Sequence, residues 1–162
     1  MDISVIICTH NRAEFLKRCL QATLVQAVDN KVRWEIVVVA NACTDRTAAV
    51  VTEAAASSAV PVRCEVEARL GLSHARNAGI AAAQGRTLWF LDDDAQPAPG
   101  CLAAMSEYFA AHPDTLAGGG PIELDWGATR KPSYWLNEFD GNLGRLVFDP
   151  ALDFFPAGQF PF

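Results

Sequence analysis

The stretch WFLDDDAQP (89–97) sets Asp92, Asp93 and Asp94 side by side directly after an apolar run. Adjacent carboxylates repel one another and favour neither helix nor strand. One reading is a solvated turn in which one acid caps the helix that follows. The other is a cation site, because carboxylate oxygens are the hard ligands that Mg2+ and Mn2+ prefer. Mg2+ takes one or two carboxylates and completes its shell with water and substrate phosphates. Three acids in a row therefore favour a metal-diphosphate site over a simple turn.

Two other polar stretches follow apolar runs in the same way. Thr9, His10, Asn11 and Arg12 come after ISVIIC (3–8), and Asn41 to Asp45 come after EIVVVA (35–40). The apolar runs are β-branched and nearly uninterrupted, as in strands buried on both faces of a parallel sheet. Between them, Phe15, Leu16, Cys19, Leu20, Leu24, Ala27 and Val28 trace the stripe of an amphipathic helix over 12–28. A second helix is expected from Thr44 or Asp45 as N-cap to Ala56. VRCEVE (62–67) alternates as a half-covered strand, and SHARNAGIAAAQ (73–84) reads as a helix ended by Gly85. TLWFL (87–91) is a core strand, 99–111 a helix, and TLAGGGPIEL (115–124) a glycine-interrupted return to the sheet.

This alternation predicts an α/β fold in three layers, a mostly parallel sheet with helices on both faces. Ligands in such sheets bind outside the carboxyl ends of the strands. That rule brings CTHNR, ANACTD and DDDA to one edge.

Composition narrows the partners. With 162 residues, 51% hydrophobic and 20% charged, the chain can bury a sizeable core and is not expected to be disordered. A net charge of −6 without any Lys/Arg-rich stretch argues against nucleic acid. Five scattered cysteines without a CxxC pair read as small buried hydrophobes in a reducing compartment. No signal peptide and no run of about 20 apolar residues is present, so a cytoplasmic chain without a membrane span is expected. Membrane association through other residues or partners stays open.

SVIICTHNRAEFLKRCL, EIVVVANACTDRT, GLSHARNAGIAAAQG and WFLDDDAQP occur in an order and spacing that resemble family 2 glycosyltransferases of the GT-A, Rossmann-like fold. The resemblance covers about residues 1–125 and rests on the ordered set of four blocks. It implies a donor-binding part that takes a nucleoside diphosphate sugar and passes the sugar to an acceptor hydroxyl, with inversion and with Mg2+ or Mn2+. The acceptor would be a sugar, a lipid-linked sugar or a protein. By motif position the DxD-like triplet would assign Asp94 to the metal and Asp92 to the ribose or diphosphate, with Asp93 in either role. Thr9, Asn11 and Arg12 would line the nucleotide pocket; read without the family, they are the cap and first residues of a helix. Arg76 and Asn77 match the family's Ala-Arg-Asn block, with an exposed helix arginine as the plain alternative. His10 stands near the nucleotide loop, whereas His74 and His112 read as helix-surface and helix-end residues.

One departure concerns the base. Where the family commonly carries Asp-Asn-Gly-Ser-Thr-Asp, this chain has Ala40-Asn41-Ala42-Cys43-Thr44-Asp45. Ala40 accepts no hydrogen bond, which leaves two options: Asn41 supplies its amide, or the base is not uracil. Asp45 is expected to cap a helix.

Residues 126–162 hold nine of the fifteen aromatic residues and form an irregular second part, covering the acceptor side or offering it an aromatic platform. The acid expected as general base matches none of Glu123, Asp125, Glu138, Asp140, Asp149 or Asp153. It is expected beyond Phe162, in a longer enzyme of which this chain is an incomplete part. Three other classes are weighed. A receiver-like phosphoacceptor would carry an acidic pair on the first strand, where CTHN stands. A sugar-nucleotide-forming nucleotidyltransferase needs a Gly-rich basic loop there, which THNR lacks. A non-catalytic nucleotide- or metal-binding module is separated from a transferase by experiment.

Overall fold

β-Branched residues fill the centre of the sheet, where both faces of a strand are covered. The computed structural model describes residues 1–126 and Arg145. In chain order it contains β1 (Ile3–Thr9), α1 (Ala13–Leu24), β2 (Trp34–Asn41), α2 (Thr47–Ser57), β3 (Val62–Glu67), α3 (Leu72–Ala82), β4 (Thr87–Asp92) and α4 (Cys101–Ala111). The strands are ordered β3-β2-β1-β4, and all pairs are parallel. Thr9 is level with Ala40, and Cys8 with Asp92, so the loops after β1, β2 and β4 leave the sheet at one edge.

The sheet separates two apolar clusters. On one face Val5, Ile7, Ile36 and Val38 meet Leu16, Cys19 and Leu20 of α1, Val50 and Val51 of α2 and Leu102 of α4. On the other, Ile6, Val37 and Val39 meet Ala75 of α3. Each fully buried Ile, Leu or Val contributes about 1.5–3 kcal/mol, which makes these clusters the main source of stability. The three layers expected from the sequence are therefore present. α3 lies close on the strands: a Cβ added to Gly79 would run into the Ile6 side chain.

Several local expectations are corrected. The first helix ends at Leu24 rather than Val28, with Ala27 exposed. Phe15 is 42% exposed and packs under two guanidinium groups, those of Arg12 and Arg18, instead of entering the core. α2 begins at Thr47, after Asp45. Residues 115–124 form no strand, only an isolated bridge at Ile122; three successive glycines and Pro121 disfavour strand conformation there. Of the cysteines, all free, only Cys19 is buried, and Cys64 is exposed because β3 is an edge strand.

The chain divides into a first compact unit, Met1–Ala111, and a second, His112–Phe162, earlier than the change in composition at 125/126. In the second, Arg145 pairs with Glu123 at 3.0 Å. The aromatic residues from Tyr134 onward lie outside the described residues, as do Glu138, Asp140, Asp149 and Asp153. Among the described residues no helix is long and apolar enough to cross a membrane.

Candidate functional site

The acid triplet is divided by the geometry of the strand end. Asp93 turns inward and is 4% exposed. Its Oδ2 accepts a hydrogen bond from the Thr9 hydroxyl at 2.6 Å, and its Oδ1 pairs with Arg12 Nη1 at 2.8 Å. Arg12 Nη2 reaches on to Asp94 Oδ2 at 2.7 Å. One guanidinium thus spans two carboxylates, a use of its planar fork that lysine lacks. The Phe15 ring lies 4.5 Å from the guanidinium carbon and holds Arg12 from another side. Asp92 and Asp94 remain exposed.

These surroundings shift the titration of the cluster in opposing ways. Burial pushes the Asp93 carboxyl above the usual carboxylate range, against the Thr9 hydrogen bond and the Arg12 charge. The Asp94 hydrogen bond raises Arg12 further above its already high value. Beneath the triplet, the Cys19 thiol contacts the Asp92 carbonyl and is pushed up to about 12 by burial, so it is an inert packing group.

Asn41 is 4% exposed and its amide is fully engaged. Nδ2 donates to the carbonyls of Glu67 and Arg69 at 3.1 and 2.7 Å, and Oδ1 accepts from Gly71 N–H at 2.9 Å. Those bonds fix the turn between β3 and α3. The Asn41 carbonyl lies 2.6 Å from His10 Nδ1, which assigns the proton of a neutral imidazole to Nδ1. Asn11 adopts φ 52°, which asparagine tolerates, and its Oδ1 accepts from Thr44 N–H at 2.7 Å. Asp45 caps two helix starts at once, accepting from Ala13 N–H and Thr47 N–H at 3.0 Å each. The loops after β1 and β2 are therefore tied together by side chains from both.

A cavity of about 440 Å³ opens at this edge, within the range of small-molecule sites. Cys8, Thr9, His10, Arg12 and Asn41 form its floor and one wall, Asp92 to Asp94 another, and Leu70, Gly71, Leu72 and Ala75 the third. The last wall is the start of α3, whose N–H groups favour a negative ligand. Gly71, at φ 143°, makes the turn into that helix, a conformation that side chains rarely adopt. A second cavity, about 180 Å³ and lined by Lys17, Gln21, Glu53 and Ser57 with Leu20 and Val50 among others, is smaller and does not include the loops after β1, β2 and β4.

Of the residues singled out in the sequence, Thr9, His10, Arg12, Asn41, Asp92, Asp93 and Asp94 share the cavity. Asn11 serves the loop beside it. Arg76 does not line it; its guanidinium lies 5.9 Å from the Phe90 ring centre on β4, and Asn77 is exposed on α3. The sequence reading missed Leu70, Gly71 and Leu72, although Gly71 before a helix pattern is a legible turn signal. It also missed Gln26, 7% exposed, whose amide donates to the Pro97 and Ala98 carbonyls at 3.2 and 3.0 Å and steadies the loop after the triplet.

Comparison with known proteins identifies the fold and the family. A glycosyltransferase of Nostoc sp., itself uncharacterized, is 31% identical over 139 residues, which is 82% of this chain and 42% of that protein. The mannosyltransferase PcManGT of Pyrobaculum calidifontis, solved with GDP-Man and Mn2+, superposes with a TM-score of 0.59 at 30% identity, covering 67% of this chain and 32% of that one. TarS of S. aureus (residues 1–349) has a TM-score of 0.62 at 23% identity over 69% of this chain and 33% of its own, a likeness of fold. The chain thus spans less than half the length of these relatives. Together with a match to the glycosyl transferase family 2 profile over residues 4–160, the fold and the ordered motifs show that the chain belongs to that family.

Proposed function

We propose that this chain forms the donor-binding part of a glycosyltransferase that uses a nucleoside diphosphate sugar, a divalent cation and an acceptor hydroxyl, with inversion at the transferred carbon. The observation that carries the reading is the cavity at the carboxyl ends of β1, β2 and β4, with two exposed carboxylates at its rim and a helix start opposite. The GDP-Man and Mn2+ held by the mannosyltransferase of similar fold support the same ligand chemistry here.

The residues present fit a divalent cation of the kind that relies on its ligand. Among the described residues no group of three or more His, Cys, Asp or Glu is arranged to enclose a metal. Asp94 and Asp92 supply hard, accessible oxygens, and Mg2+ or Mn2+ is commonly held by one or two carboxylates with phosphates completing the shell. When bound, the metal supplies Lewis-acid stabilisation of the charge that develops on the departing diphosphate. Asp94 is its ligand in this reading, and Asp92 serves the ribose or diphosphate. Asp93 and Thr9 act from below, by holding Arg12 and the strand end in position.

The base is read by groups other than residues 40 and 41. Ala40 is buried and has no polar side-chain atom, and all of the Asn41 amide serves the turn at 67–71. Among the described residues, His10, Leu70 and Leu72 line the cavity and are the side chains that meet a base in this reading. Calorimetry with a panel of nucleoside diphosphates, with and without Mn2+, tests the proposal. Metal-dependent binding of one nucleotide is the expected result; no binding with any base would sink it.

A further inference from the structure

The triplet already has a cation. Arg12 reaches Asp93 at 2.8 Å and Asp94 at 2.7 Å, but the two halves of this bridge differ. The Asp93 side chain is 6% exposed and is also fixed by the Thr9 hydroxyl at 2.6 Å. The Asp94 side chain is 49% exposed, in water that weakens its pairing. The guanidinium itself is backed by the Phe15 ring. Arg12 is thus anchored at one carboxylate and releasable at the other.

A divalent ion at Asp94 and a guanidinium on the same carboxylate compete twice, for the oxygen lone pairs and through like charge. Even with Arg12 in place, three carboxylates against one guanidinium leave the cluster negative, so a cation is still attracted to it. We propose that Arg12 is an internal counter-cation that holds Asp94 closed in the metal-free protein, and that a divalent ion enters by displacing its Nη2 from Asp94 while Nη1 stays on Asp93. The proposal rests on the reading of Asp94 as metal ligand. The displaced Nη2 faces the cavity that Arg12 lines and donates there to an anionic group of the ligand. Arg12 in this scheme couples arrival of the metal to recognition of the diphosphate.

The test is a Mn2+ titration of the nucleotide-free chain, followed by the paramagnetic resonance signal of free Mn2+. Native circular dichroism of each variant is the control for folding. Arg12→Ala is expected to bind Mn2+ roughly tenfold more tightly than the unaltered chain, because a competing unit charge a few ångströms away is gone. Arg12→Lys, which can keep Asp93 without also spanning to Asp94, is expected between the two and covers the case in which the alanine variant fails to fold. Adding Asp94→Asn to either variant is expected to abolish the gain. Equal or weaker Mn2+ binding by both Arg12 variants, including no binding by any protein, would overturn the proposal. Nucleoside diphosphate calorimetry on the unaltered chain keeps the two readings apart. Absence of nucleotide binding by that chain with the Mn2+ order of the variants preserved counts against the donor site alone, and nucleotide binding without that Mn2+ order counts against Arg12 alone.

Discussion

The two ends of the same sheet each join an arginine to carboxylates, and they do so to opposite effect. At the amino end, Glu35 of β2 is 1% exposed and accepts from Ser4 of β1 at 2.6 Å, from Gln84 N–H at 2.8 Å and from Arg63 of β3 at 2.9 Å. Arg63 also donates to the Ala82 carbonyl at 2.7 Å. Burial alone would raise the Glu35 pKa, but these bonds together outweigh it and hold the carboxyl below the usual range. At the carboxyl end, Arg12 and the Thr9 hydroxyl together satisfy Asp93, whereas Asp94 meets Arg12 from the exposed side, beside an open cavity. One cluster is closed on itself and locks β1, β2, β3 and the end of α3 together. The other retains charge and access, and those are what a ligand site needs.

The contrast can be broken from either end. Glu35→Ala should have the largest effect, about 3 kcal/mol lost in chemical denaturation, because it removes the buried acceptor that Arg63, the Ser4 hydroxyl and the Gln84 N–H share. Nucleotide affinity measured well below the melting range should stay within about twofold. A loss under about 1 kcal/mol would mean that the amino-end network is not the lock described.

Asp94→Asn should do the reverse. Mn2+-dependent nucleotide binding should fall about tenfold or more, equivalent to about 1.4 kcal/mol, while stability changes by no more than about 0.5 kcal/mol. Equal binding by calorimetry would remove Asp94 from the site.

Backbone strain also collects at the open end. Ala42 holds φ 48°, where an L side chain crowds the following carbonyl. Ala42→Gly should raise stability by about 1 kcal/mol, net of the greater freedom of glycine in the unfolded chain. A lower melting temperature would show that the Ala42 methyl group contributes more than its strain.

The smallest effect concerns Glu67, at the end of β3. Hydrogen bonds from the Arg69 side chain and its N–H lower the Glu67 pKa from 4.5 to about 2. A folded-state pKa below the unfolded one stabilises the protein above the unfolded value, and that stabilisation is lost as pH falls through the folded value. Glu67→Gln should therefore melt below the unaltered chain at pH 6, with the gap closing between pH 4.5 and about 2. A gap that persists at low pH would point to shape rather than charge.

The sequence carried the layered fold well, because β-branched runs and helical stripes report burial directly. It also placed three polar loops at one sheet edge, since parallel strands leave no other arrangement. It carried helix limits less well: Phe15 satisfies the apolar period yet lies at the surface, held there by two arginines that periodicity does not register. The glycines at 118–120 read as an interrupted strand, but their conformational freedom left no strand at all. Asn41 looked available for a base because an amide both donates and accepts, and its three partners lie 26 to 30 residues further along the chain.

By itself the sequence determined that this is a parallel α/β chain with an acidic strand end and the ordered motifs of glycosyl transferase family 2. Local patterns suffice for that, since burial and turn chemistry act over a few residues. Only the tertiary structure decided which acid faces inward, which arginine meets it and which amide is already engaged. Thr9 and Asp93 are 84 residues apart, and Arg12 and Asp94 are 82 apart. Contacts across such separations depend on strand register and on the choice of side-chain direction at the sheet edge, and spacing along the chain encodes neither.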